Sequence, residues 1–127
     1  MLKNEINENE ALSIARVMRS VLVHADCFDV FPYIADKSVN LILCDLPYGT
    51  TANKWDSLLD LNKLWKEYER ILAPKGNIVL FGAGLFAFKL ALSNEKLFRY
   101  DMVWKKSKCG SPLTAKYMPL KKHEMVL

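Results

Sequence analysis

The sequence predicts an α/β domain built on a largely parallel sheet. Three observations carry this expectation. Short apolar runs rich in strand formers recur at 21–24, 39–44 and 77–81, each bounded by polar or turn residues. Segments of helical spacing alternate with them, the pattern of a sheet with crossover helices. The run at 39–44 also ends in Asp45-Leu46-Pro47-Tyr48. That polar and aromatic loop sits at a strand's carboxyl end, where open parallel sheets collect ligands.

Taken in order, residues 1–10 are polar and read as a frayed start, and Ile14, Val17 and Met18 suggest a helix over roughly 8–19. Val21-Leu22-Val23-His24 reads as a short buried strand with Ala25-Asp26-Cys27 as its exit loop. Phe28, Phe31 and Ile34 share one helical face, but Pro32 limits that helix to a turn or two. A turn at 36–38 leads into the strand at 39–44. The clearest helix runs from Leu61 to Leu72, with Leu61, Leu64, Trp65, Tyr68, Ile71 and Leu72 on its apolar face. Asp60 can cap it, Lys63 and Glu67 form an i, i+4 pair on its wet face, and Pro74-Lys75-Gly76 ends it. A strand over 77–81, a helix over Leu85 to Ser93 and a strand over 98–104 follow. A long basic loop spans 105–122, and a last strand starts at His123. The runs at 21–24, 39–44 and 77–81 are apolar on both faces, as central parallel strands require. Right-handed crossovers would place helices on both faces of the sheet.

The 127 residues suffice for one domain with one core. Half the residues are hydrophobic and a quarter charged, which fits a soluble globular protein. No apolar run reaches the roughly 20 residues of a membrane span, and the start is too acidic for a secretory signal. Cys27, Cys44 and Cys109 have neither pairing nor zinc spacing and read as reduced thiols in a cytoplasmic protein. His24 and His123 belong to no ligand cluster, so no metal is expected. The net charge of +4 divides into −2 over residues 1–95 and +6 over 96–127. Lys105, Lys106, Lys108 and Lys116 in the basic loop, and Lys54 beside the motif, could hold phosphates, or they are solvated loop lysines. Trp65 and Trp104 read as core.

The loop at 45–48 suits one chemistry. An exocyclic amino nitrogen of a nucleobase is a poor nucleophile because its lone pair is delocalised into the ring. Acceptors aimed at its protons favour tetrahedral geometry and take up developing positive charge. The Asp45 carboxylate and the Leu46 carbonyl can be those acceptors. Pro47 fixes φ and removes a competing donor. Tyr48 offers a face on which an extruded base can stack, worth about 1–3 kcal/mol. Extrusion is required because the amino nitrogen is inaccessible in a duplex. Cys44 precedes the motif and reads as a buried small residue rather than the nucleophile of cytosine-C5 chemistry.

Asp45-Leu46-Pro47-Tyr48 resembles the Asp-Pro-Pro-Tyr motif of amino-methylating DNA methyltransferases. The resemblance to phage- and prophage-type modification methylases extends through Gly49-Thr50-Thr51 and Asn53-Lys54-Trp55-Asp56. It continues in Trp65, Tyr68, the segment 76–81, Trp104-Lys105-Lys106 and Pro119 before His123-Glu124. It covers about residues 20–127. It implies a Rossmann-like S-adenosylmethionine-dependent methyltransferase sheet and methyl transfer to an extruded base of double-stranded DNA. Asp45 implies adenine N6 rather than cytosine N4. Leu46 stands where the family usually has its first proline, and Pro47 and Tyr48 match directly. The segment 24–27 resembles the family's Gly-Asp stretch. This implies a place for Asp26 and Cys27 at the cofactor's adenine end, beside which Asp26 can equally be a helix cap.

The family's main cofactor loop, Phe-x-Gly-x-Gly, does not occur before Leu127. Phe81-Gly82-Ala83-Gly84 is the nearest segment and has the wrong spacing. The expectation is therefore an incomplete sheet, the amino-terminal, catalytic-motif half of a methylase. The alternatives are a non-catalytic remnant or a nucleic-acid-binding or complementing subunit. Methylation of RNA or of a protein glutamine is a third, disfavoured by the aspartate at 45.

Overall fold

The computed structural model describes residues 20–51, 53–54, 56–109, 113 and 115–127. The helix expected over 8–19 and Trp55 lie outside the described residues. The elements in chain order are α1 (Cys27–Val30), a 3-10 turn (Phe31–Tyr33), β1 (Val39–Asp45), α2 (Leu61–Ile71), β2 (Leu72–Gly82), α3 (Leu85–Ser93), β3 (Met102–Lys105) and β4 (His123–Val126).

The sheet order is β1-β2-β4-β3. β1 and β2 are parallel, with Ile42 opposite Ile78 and Asp45 opposite Phe81. β4 is antiparallel to both β2 and β3. β3 therefore runs parallel to β2, one strand removed. Moving from β1 to β2 to β3 always crosses the sheet in one direction. Right-handed crossovers taken in one direction put their helices on one face; helices reach the second face only where the strand order reverses. The expectation of helices on both faces is corrected accordingly. α2 and α3 pack side by side on one face, joined by a 2.7 Å bond from Trp65 Nε1 to Ser93 Oγ.

The core lies under those two helices. It gathers Phe31, Ile42, Leu46, Leu64, Tyr68, Ile71, Leu80, Phe86 and Leu90. Leu64 and Leu90 are fully buried, which contributes about 1.5–3 kcal/mol each. On the other face, Leu41 and Leu43 of β1 are more than half exposed. Among the described residues β1 is thus an edge strand covered on one face, not the doubly covered central strand its composition suggests.

Val21–His24 form no strand, and Val21, Leu22 and Val23 are exposed. A strand exists through its ladder, and among the described residues nothing pairs with the outer edge of β1.

Local chemistry explains the remaining elements. Asp26 caps α1, its Oδ1 accepting from Phe28 N at 2.8 Å, and Pro32 ends regular helix as expected. Asp60 caps α2, accepting from the amides of Asn62 and Lys63. Helix α2 passes straight into β2 at Leu72, so β2 starts five residues before the expected Asn77. The wet-face pairing also differs. Glu67 bonds Arg70 rather than Lys63, because Arg70 is drawn toward the α1 segment. Its guanidinium donates to the carbonyls of Phe31 and Ile34, tying the turn to α2. β3 is confined to 102–105 because only these residues face β4. Trp104 is half-exposed rather than core. It meets the Phe81 ring edge-on, and the Lys106 ammonium lies 5.3 Å from its centroid.

Candidate active site

The parallel pairing of β1 with β2 brings Asp45 beside Phe81 at the carboxyl ends of both strands. Beyond β1, Leu46 turns inward and is buried in the core, which anchors the loop. Pro47 and Tyr48 follow at intermediate burial. The Tyr48 hydroxyl donates to Asp45 Oδ1 at 2.7 Å. Its ring stacks on Phe86, with centroids 4.9 Å apart and planes inclined by 26°. Burial, then the bond to Asp45 and the negative charges of Asp45 and Glu124, push the Tyr48 phenol well above the ordinary tyrosine range.

Phe86 reaches Tyr48 because α3 starts immediately after β2. Gly82 makes this close approach possible: a Cβ there would lie 3.0 Å from both Cα and Cβ of Ala87. Gly84, the N-cap of α3, has φ +57°, a conformation that favours glycine. The segment Phe81-Gly82-Ala83-Gly84 thus owes its glycines to helix packing and to one sharp backbone turn.

The loop after Tyr48 is organised by Asp56. Its carboxylate accepts from the amides of Gly49 (2.8 Å), Thr50 (2.9 Å) and Thr51 (2.6 Å). Asp56 is 7% exposed, and it is the buried charged residue of the described chain. Burial alone would raise its carboxyl, but the Thr51 hydroxyl and the three amides outweigh this and lower it to about 2.

The other expected site residues are placed as follows. Asp26 caps α1. Cys27 is exposed at the start of α1, and its thiol is pushed up by partial burial, then by the nearby Asp26 and Cys44. Lys54 lies exposed in the turn after the motif, and Lys105 and Lys108 are exposed around the end of β3. Lys106 is engaged, its ammonium bonded to Glu124 across the β3–β4 pair. Among the described residues no three His, Cys, Asp or Glu side chains come together as metal ligands. No described helix is long and apolar enough to cross a membrane. A cleft of about 370 Å³ lined by Trp65, Leu90 and Phe98 borders Asn77–Leu80, in the second half of β2. None of the motif residues 45–48 line it.

Sequence reasoning passed over Phe86, and Glu124 was visible only as a letter of the resemblance. Phe86 sits in a helix that is apolar on all sides, so periodicity could not single it out. Asp56 was visible as a letter of the resemblance but not as the residue that holds the loop.

The α/β sheet with its polar–aromatic loop after β1 is similar in fold to that of a solved SAM-bound methyltransferase. The crystal structure of M1.HpyAVI in complex with SAM, a DNA methyltransferase, superposes with a TM-score of 0.59 at 20% sequence identity. The match covers 82% of this chain and 52% of that one, so the chain spans about half the length of the solved structure it resembles. No protein-family model matches the sequence.

Proposed function

We propose that this chain carries the catalytic motif of an S-adenosylmethionine-dependent DNA amino-methyltransferase, acting on adenine N6. The observation that carries the proposal is the Asp45–Tyr48 pair at the end of β1, braced by Phe86, on a methyltransferase fold. The site suits a cationic, hydroxyl-rich cofactor. Two carboxylates, Asp26 beside Cys27 and Asp45 beside Cys44, are exposed, and Asp26 and Cys44 both act on the Cys27 thiol. The neighbour's SAM complex supports the same cofactor here. When bound, S-adenosylmethionine supplies an electrophilic methyl group.

The chain's own residues would do the rest. Asp45 accepts from the target amino group and takes up its developing positive charge. The Leu46 carbonyl is the second acceptor, available because the Leu46 side chain is committed to the core. Tyr48 presents to the extruded base the ring face that Phe86 does not cover, and its hydroxyl orients Asp45. Lys54, Lys105 and Lys108 contribute phosphate contacts to double-stranded DNA.

One observation favours a second reading, a subunit that acts only with further polypeptide. The sheet face bearing Leu41 and Leu43 is exposed, and a large open apolar face marks an interaction surface. One experiment separates the two. The protein is titrated with S-adenosylmethionine by calorimetry, and methyl transfer to mixed-sequence duplex DNA is assayed. Saturable binding, with turnover that falls at least about 100-fold in Asp45→Ala, supports the enzyme. A folded protein that neither binds the cofactor nor methylates DNA refutes independent activity and favours the subunit.

A further inference from the structure

Asp56 lies eleven residues beyond Asp45 in sequence, outside the motif, yet it determines the shape of the chain that leaves Tyr48. Its two oxygens divide the work. Oδ1 accepts from Gly49 and Oδ2 from Thr50 and Thr51, the latter at 2.6 Å. Three consecutive amides aimed at one point form an anion-binding concavity. Here the occupant is a carboxylate of the same chain, and no ion pair to Asp56 exists among the described residues. The amide of Asp56 in turn donates to Asn53 O at 3.0 Å, closing the loop on itself.

An apolar contact fixes the opposite side. Gly49 has φ +65°, and a Cβ there would fall 2.8 Å from Leu58 Cγ. Gly49 is bonded directly to Tyr48, so the loop is held between Leu58 and Asp56 at the residue that sets the exit direction of the tyrosine. Tyr48 then makes the two contacts that define the site, its hydroxyl on Asp45 and its ring on Phe86.

We infer that Asp56 is a positioning residue: by clamping the amides of Gly49, Thr50 and Thr51 it fixes the aim of Tyr48 and, through the Tyr48 hydroxyl, of the Asp45 carboxylate. The kinetic consequence rests on the methyl-transfer function proposed above; the structural consequence rests on geometry alone. Neutralising the clamp is not isosteric in effect. An asparagine keeps one acceptor oxygen and turns an amine toward amides that are already donors, so one arm of the clamp is lost whichever way the side chain lies.

The test uses the full chain and three readouts in Asp56→Asn. The first is backbone amide hydrogen exchange at Gly49, Thr50 and Thr51, with β1 amides as the internal reference. The second is the Tyr48 phenol titration, followed by NMR of ring-labelled tyrosine. The third is kcat and KM for S-adenosylmethionine in methyl transfer to duplex DNA. The clamp predicts at least tenfold faster exchange confined to 49–51 and a Tyr48 titration that moves down toward the ordinary range. It predicts a kcat reduced about 10- to 100-fold, the scale of a 1 Å misplacement, with KM changed less than about twofold. Unchanged exchange, or an unchanged Tyr48 titration, overturns the inference; so does full kcat with a loosened loop.

If the wild-type protein transfers no methyl group, the proposed function fails, and exchange and titration still decide the clamp. If Asp56→Asn does not fold, Asp56→Glu decides. It keeps the charge and both oxygens but shifts them by one methylene. Faster exchange at 49–51 with a lowered Tyr48 titration supports the clamp, and wild-type values for both overturn it.

Discussion

Tyr48→Phe separates the two things Tyr48 does. The variant keeps the ring that stacks on Phe86 and deletes the hydroxyl that donates to Asp45 at 2.7 Å. A hydrogen bond to a charged acceptor contributes about 1.5–3 kcal/mol when buried. Asp45 is exposed, so solvent screening reduces this to about 1 kcal/mol at neutral pH. The pH dependence is more diagnostic. Burial and Asp45 hold the folded Tyr48 phenol above its ordinary value of 10. In the unfolded chain it ionises near 10, so the folded state then binds more protons than the unfolded state and stability falls as pH rises.

The contribution is fully present below pH 10 and is lost on the way up through the raised folded value. Each pH unit in that window is worth up to about 1.4 kcal/mol for a wholly shielded group, and about half that at this partly solvated site. Urea unfolding of both proteins from pH 8 to 11 reads this directly. Wild type and variant should differ by about 1 kcal/mol and run parallel to pH 9.5. They should then converge as the wild type alone loses Tyr48's contribution; Tyr68, also raised by burial, cancels in the difference. Curves that stay parallel to pH 11 would refute the claim that Tyr48 is held protonated by Asp45. In methyl transfer, Tyr48→Phe should keep most base stacking and lose several-fold in kcat, whereas Tyr48→Ala also forfeits about 1–3 kcal/mol of stacking.

Other perturbations test the scaffold and the charged loop. Leu64→Ala removes a fully buried side chain between α2 and the sheet and should cost about 2–5 kcal/mol in urea unfolding. Gly82→Ala drives a methyl to 3.0 Å from Ala87 Cα. It should destabilise by about 1–3 kcal/mol and displace Phe86 from Tyr48, seen as loss of ring-current shifts in the tyrosine NMR spectrum. Lys108→Ala should weaken duplex binding alike for unrelated sequences and reduce the slope of log affinity against log salt by about 0.9. By contrast, Lys106→Ala should cost stability and leave that salt slope nearly unchanged, because its ammonium already bonds Glu124.

Much of this protein follows from nearest neighbours in the chain. Asp60 before an i, i+3, i+4 apolar face is enough for a capped α2, because capping and amphipathic burial act within one helical turn. Asp26 and Pro32 likewise bound α1 at both ends. The motif's place at the end of β1 was legible because a β-branched and leucine run ends at a carboxylate and a proline.

What sequence alone could not determine is anything that depends on which elements become neighbours. Val21–Val23 have every local property of a strand, but strand formation requires a partner edge, and β1's outer edge has none among the described residues. Leu41 and Leu43 look like central-strand residues, yet one-directional crossovers leave their face open. Composition shows how apolar a face is, not what covers it.

At the site the division is the same. Asp45, Pro47 and Tyr48 are adjacent in the chain, so their chemistry was readable as a motif. Phe86 joins them through a ring contact spanning 38 residues and Asp56 through hydrogen bonds spanning five to seven, made possible by a glycine that admits a helix and a carboxylate that gathers three amides. The sequence determined the reactive groups; the tertiary structure decided how they are aimed, because orientation comes from packing and hydrogen bonds between segments that no local pattern encodes.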